Sequence, residues 1–371
     1  MPEEDIALVQ AREELKKQLA AGEYHTLVDD VLLGIGRLIQ KITRRSDPTP
    51  GWLNAIVLIV CVYAFGFGMI LLTGDMALFN RATEIYGPNG TSIVWSTILL
   101  PMASMFLVND YIHRIMALWG TMILDATESM ATLMDFRKWL DRACNRRLQL
   151  LVAIIGGIAI SAYLSSAMIT LVGQQGYGIA VFVIVISMFG ATFLFLVFGA
   201  VDLSLRLRHY ELKLFAADPS ASEVISRLSS LLSLGVYLVA LYATAISFIT
   251  VMGGLLPIFG PALVLLWLPI IAMFVLNQTS LAGVIRRVKW KTLNGIQAQI
   301  AALQAAGNDS SKETMDAINR LLDYHDRVKA THGSALDLRA TLNFLNSLLL
   351  PLLGFLLANV DRVLALFRPP P

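Results

Sequence analysis

The sequence predicts an all-α fold: a polytopic helical membrane protein. Six transmembrane helices would form three antiparallel hairpins, joined by cytoplasmic helices. A C-terminal helix would be either interfacial or a seventh membrane helix. Three observations point there. Hydrophobic residues make up 56% of the 371 residues and charged ones only 15%, against roughly a quarter charged in an ordinary globular domain. Mean hydropathy is +0.65. The remaining charge is one-sided, with 26 of the 29 Lys and Arg residues in segments 1–51, 109–147, 202–230 and 277–341. A net charge of +2 makes no bulk basic field, so the expected partner is the lipid bilayer and no nucleic acid.

Residues 1–51 are expected to form a cytoplasmic amphipathic helical segment. Pro2-Glu3-Glu4-Asp5 is acidic where a signal peptide is basic, so insertion through the first span is expected. Val28, Val31, Leu32, Ile35, Ile39 and Ile42 recur at helical spacing before Arg44-Arg45. They predict an amphipathic helix lying on the membrane, broken by Pro48 and Pro50.

The transmembrane domain covers 52–276. A bilayer core of about 30 Å needs about 20 apolar helical residues. Stretches 52–73, 91–108, 148–172, 177–201, 231–252 and 255–276 meet that test, and none contains Asp, Glu, Lys, Arg or His. They are continuously apolar rather than alternating, which excludes barrel strands. Gly173-Gln174-Gln175-Gly176 and Gly253-Gly254 are connections short enough to make antiparallel neighbours. The excess of Lys and Arg in the N-terminal segment and after spans two, four and six places the N-terminus in the cytoplasm, with a bacterial inner membrane as the expected location.

Helical loops are expected at 109–147 and 202–230. Asp218-Pro219-Ser220 starts a helix that runs into span five, with Asp218 as cap or Ser220 and Glu223 as a capping box. Segment 277–341 reads as a helical hairpin. Ile285, Val288, Ile296, Ile300 and Leu303 mark one arm. Gly307-Asn308-Asp309 breaks it, and Ser310 with Glu313 boxes the second arm, which carries Met315, Ile318, Leu321, Leu322 and Val328. Packing of the arms on each other is the plainer reading of that stripe, and partner docking the functional one. Segment 342–371 is apolar over 342–360 but carries Asn343, Asn346, Pro351 and Asn359. It is expected to lie in the interface, with spanning as the alternative.

The sequence holds few tools for chemistry. Cys61 and Cys144 fit neither a disulfide framework nor a metal site. The five histidines form no paired ligand motif, and the His325-Asp326 doublet reads as a solvated helix face. No phosphate-binding glycine loop or nucleophile elbow is present. No catalytic, cofactor-binding or metal residue is therefore assigned, and no cofactor or enzyme activity is expected. Proton and cation relays use ionisable residues inside the bundle, each costing about 2.5–3.5 kcal/mol to insert, and the six spans have none.

Three residue sets remain as candidates. Ala153, Gly157, Ser161 and Ser165 lie four apart on span three and suit close helix packing. Ser233, Tyr237, Ala240, Thr244 and Ser247 form a weakly polar stripe on span five, a pore lining or a packing face. Asp110 with Arg114 and Asp202 with Arg206 are four apart at two membrane exits, where each pair can bridge along a helix. The first functional expectation is a non-catalytic, homo-oligomeric pore or channel controlled from the cytoplasmic side. The alternative is a membrane-anchored scaffold or sensor that recruits a cytoplasmic protein partner through its helical hairpin.

Overall fold

A computed structural model describes residues 3–44, 47–73, 80, 83–84, 87–172, 177–252, 256–305 and 312–331. The fold is all-helical over these residues. In order, the helices are α1 (Glu3–Ala20), α2 (Leu27–Thr43), α3 (Gly51–Thr73) and α4 (Gly90–Leu118). After α4 the chain passes through a π-helical turn (Trp119–Ile123) and one more α-turn (Leu124–Ala126). There follow α5 (Met130–Ala143), α6 (Arg146–Val172), α7 (Tyr177–Leu207), α8 (Glu223–Met252), α9 (Leu256–Ala305) and α10 (Lys312–Ala330).

Among the described residues, five helices are long and apolar enough to cross a membrane: α3, α6, α7, α8 and α9. The expected second span, 91–108, lies within α4, where side chains are described from Leu99 onward. Pro101 sits inside α4. The turns at 173–176 and 253–254, the Gly307–Asp309 break, Ser310 and segment 342–371 lie outside the described residues.

α7 is the hub of the bundle. It lies antiparallel to α6, with Gly156 opposite Ala191 and Gly157 opposite Met188. α8 and α9 also run antiparallel, since Asn277 bonds the Leu232 carbonyl at one end and Trp267 bonds Ser247 at the other. The expected first hairpin is looser. α3 packs more on α7 than on α4, because Gly66 leaves room for the Phe182 ring where a Cβ would collide with it. Residue size therefore redirects a pairing that chain order alone suggests.

The loops at 109–147 and 202–230 fold together at the basic end of the bundle. Trp119 stacks on Phe136 with centroids 3.7 Å apart, and Tyr210 meets Trp119 edge-on at 5.4 Å. Trp139 donates its indole N–H to the Gly199 carbonyl at 2.9 Å, giving a buried aromatic body a satisfied polar end. Between their helices the two loops also touch through backbone. Thr127 and Leu212 form an isolated antiparallel bridge, with Glu128 N–H donating to the Glu211 carbonyl at 3.0 Å. α1 covers this seam through buried Leu15, and Arg12 donates to the Thr127 carbonyl at 2.6 Å. On the other flank, Arg287 of α9 donates to the Arg208 carbonyl at 2.6 Å, and Lys291 pairs with Glu128 at 2.8 Å.

Of the two expected caps, Asp218 is used, but it caps a short 3-10 turn ahead of α8 and not α8 itself. Asp218 accepts from the Ser220 N–H at 3.1 Å and from its hydroxyl at 2.5 Å. Ser220 thus serves Asp218 instead of boxing with Glu223. A short 3-10 turn, Pro219–Ala221, then leads into α8.

Candidate functional site

A buried polar cluster lies where α2, α4 and α6 meet. It begins with local chemistry. Thr26 is the N-cap of α2, and its hydroxyl accepts from the Asp29 N–H at 3.2 Å. Asp29 reciprocates by accepting from the Thr26 N–H at 2.8 Å, which completes a capping box. Each group satisfies a backbone donor that a helix start leaves open. Asp29 and Asp30 both fall in the first turn, where the helix dipole favours negative charge.

Long-range partners complete the cluster. Asp29 Oδ1 accepts from Asn109 Nδ2 at 2.8 Å and faces His113 Nε2 at 2.9 Å. The Thr26 hydroxyl donates to Asn109 Oδ1 at 2.6 Å. Gln149 accepts from the Leu27 N–H at 2.6 Å and donates to the Ala143 carbonyl at 2.5 Å. Arg146 pairs with Asp30 at 2.8 Å. Thr26, Asn109 and Gln149 are buried, so their bonds replace water that cannot reach them.

This geometry sets the protonation of the pair. Burial alone would raise the Asp29 carboxyl, but hydrogen bonds from His113, the Thr26 N–H and Asn109, with the His113 charge, outweigh it and hold the group at about 2. The bond to Asp29 raises His113 above its ordinary 6.5, against the opposing pull of burial. Cys144, close enough to feel Asp29 and Asp141, is pushed up to about 12, mainly by burial. Such a thiol carries almost no thiolate and is inert near neutral pH. Chemically the cluster can hold or release a proton on His113 while fixing α2 to two other helices. Among the described residues, no group of three or more His, Cys, Asp and Glu is placed to hold a metal ion.

The residues singled out from sequence have definite places. Ala153 and Ser161 are buried on α6, and Ser165 is half-buried. At Gly157 a Cβ would stand 2.7 Å from Met188 Cγ and 3.0 Å from its Cα, so here α6 and α7 approach backbone to backbone. The span-five stripe twists across the edge of a packed face. Ala240 and Ser247 are buried, Ser233 and Thr244 half-buried, and Tyr237 is 41% exposed. Ser247 accepts the Trp267 indole N–H at 3.0 Å, so that end of the stripe is occupied by helix packing.

Asp110 and Arg114 lie 2.8 Å apart on the surface. Asp202 and Arg206 lie 2.9 Å apart, and Arg206 also reaches Asp135 at 2.6 Å while Arg142 reaches Asp202 at 3.5 Å. The second pair therefore belongs to a network joining α5 to α7, and the first does not. His325 is mostly covered, with 18% of its side chain exposed against 79% for Asp326. Only the aspartate of that doublet is solvated as expected.

Sequence reasoning passed over Thr26, Asp29, Asn109, His113 and Gln149. One local signal was available. Thr26 and Asp29 have the three-residue spacing of a capping box, though with Asp in the place usually held by Glu or Gln. Nothing local announces that His113, far along the chain, closes on the same carboxylate. Comparison of the chain with protein-family models, curated proteins and solved structures finds no match.

Proposed function

We propose that the protein is a non-catalytic, membrane-anchored scaffold whose α9–α10 hairpin recruits a cytoplasmic protein partner. Its N-terminus would lie in the cytoplasm and its bundle in a bacterial inner membrane. α9 supports this reading by not stopping where its apolar stretch ends. It continues as one helix to Ala305, and α10 returns along it until Lys289 Nζ donates to the carbonyls of Lys329 and Thr331 at 2.8 and 2.7 Å. Ile296, Ile318 and Val328 are buried in the hairpin. Trp290, Met315 and Leu322 stay 58%, 51% and 45% exposed. Met315 and Leu322 are seven apart and share one face of α10. Trp290 stands about 20 Å of helix beyond residue 276, too far out to serve as an interfacial membrane anchor.

Site-specific photocrosslinkers at Met315 and Leu322 of the full chain in cells test this. Both positions should capture the same partner, and Met315→Glu plus Leu322→Glu should abolish capture. Crosslinks that differ between the two positions, or none at either, would refute recruitment through this face.

A homo-oligomeric pore is the second reading. The exposed Tyr237 and half-buried Ser233 and Thr244 favour it, because several copies could bring these edges together. Ion flux through purified protein in vesicles, lost in Thr244→Leu, would support the pore over the scaffold.

A further inference from the structure

The contacts of α2 fix its direction. At its start, Thr26 bonds Asn109 of α4 and Leu27 bonds Gln149 of α6. Midway, Gly36 rests on Asn54 of α3, where a Cβ would stand 2.8 Å from Asn54 Nδ2 and from Thr49 Oγ1. Asn54, Asn109 and Gln149 each lie within a few residues of the basic end of a separate apolar stretch. Those three ends mark one level of the bundle. A helix that meets all three over about 15 Å of its length runs along the membrane plane.

Turning about 100° per residue, α2 presents three arcs. Val28, Leu32, Gly36 and Ile39 fall on one, where they are buried or half-buried. Val31, Ile35, Leu38 and Ile42 fall on a second, with Val31, Leu38 and Ile42 exposed by 40%, 57% and 72%. Arg37, Lys41 and the C-cap Arg44 fall on a third, and all three are exposed. α3, which packs against α2, carries an apolar surface of its own, with Trp52, Ile56 and Val60 exposed by 66%, 49% and 59%. α3 is among the helices apolar enough to cross the membrane, so the two exposed apolar surfaces meet the same medium.

We infer that α2 is an in-plane helix that sinks Val31, Ile35, Leu38 and Ile42 into one lipid leaflet and holds anionic headgroups with Arg37, Lys41 and Arg44. The Thr26–Asp29–Asn109–His113 cluster pins the start of this helix to the bundle, which sets its depth. Each basic residue at an anionic surface favours lipid association by about fivefold.

The test uses the full chain with Cys61→Ser and Cys144→Ser, reconstituted in phosphatidylcholine vesicles with or without phosphatidylglycerol. A spin label at Leu38→Cys should be open to dissolved oxygen and shielded several-fold from a water-soluble nickel chelate. A bimane at the same position should be quenched more strongly by headgroup-labelled phosphatidylglycerol than by headgroup-labelled phosphatidylcholine. Arg37→Gln plus Lys41→Gln should cut that preference to the about fivefold that Arg44 alone supports and leave the chelate shielding intact. A label at position 38 as open to the chelate as free label would overturn the leaflet placement. Equal quenching by the two lipids with the basic residues in place would overturn the headgroup role.

Discussion

His113→Gln isolates the charge in the polar cluster, because glutamine still offers Asp29 a hydrogen bond. A hydrogen bond to a charged group contributes about 1.5–3 kcal/mol. The His113 side chain is 41% exposed, so solvent screening brings the expected loss down to about 1 kcal/mol. The pH dependence follows from the two shifts. His113 is raised above 6.5 in the folded chain, so its stabilisation is complete below 6.5 and fades as pH climbs through the folded value. Asp29 is lowered from 3.8 to about 2, so its share is complete above 3.8 and is lost as pH falls towards about 2. Both shares are complete only between 3.8 and 6.5. Thermal unfolding of the detergent-solubilised full chain should therefore show His113→Gln melting about 2 °C below the parent in that window. The gap should shrink as pH rises through the folded His113 value, above 6.5. A gap that is constant with pH would mean His113 acts by packing alone. No gap inside the window would mean the ion pair does not form.

Two further substitutions probe the packing. Gly157→Leu should cost about 2 kcal/mol through overpacking, because the Met188 backbone cannot retreat from the added Cβ. Gly190→Leu on α7, with nothing within 4 Å of its Cβ position, should be near neutral in the same melting assay; equal losses would refute the close α6–α7 approach. Tyr111 is buried and its hydroxyl has no hydrogen-bond partner among the described residues. Tyr111→Phe should therefore leave stability unchanged or raise it by about 1 kcal/mol, and a clear drop in melting temperature would reveal a bond to that hydroxyl.

Composition made the membrane class legible, since length and hydropathy are properties of a segment by itself. Helix continuity was less legible. The drop in hydropathy near Leu276 suggested a boundary, yet α9 passes straight through it. Hydropathy reports a change of surroundings, whereas the helix runs on through it, past Pro269 and Gly283 as well. The polar cluster was least legible. Asp29 and His113 are joined by tertiary packing across 84 positions, and each looks ordinary in its own window. Pairing within the bundle was hidden for a similar reason, because the fit of Phe182 over Gly66 depends on two distant residues at once.

The unbroken course of α9 gives the molecule a lever. Arg287 and Lys291 tie it to the seam around Thr127 and Leu212, and that tie acts as a fulcrum. From Lys291 to Ala305 the free arm measures about 21 Å. A membrane-spanning helix answers a change in bilayer thickness by tilting. A tilt of about 10° would sweep the tip of the hairpin by roughly 4 Å. That distance is close to the spacing between neighbouring side chains, so if the hairpin recruits a partner as proposed, the tilt would change which of its residues Met315 and Leu322 meet. Bilayer thickness would then be read out as the register of a protein contact outside the membrane.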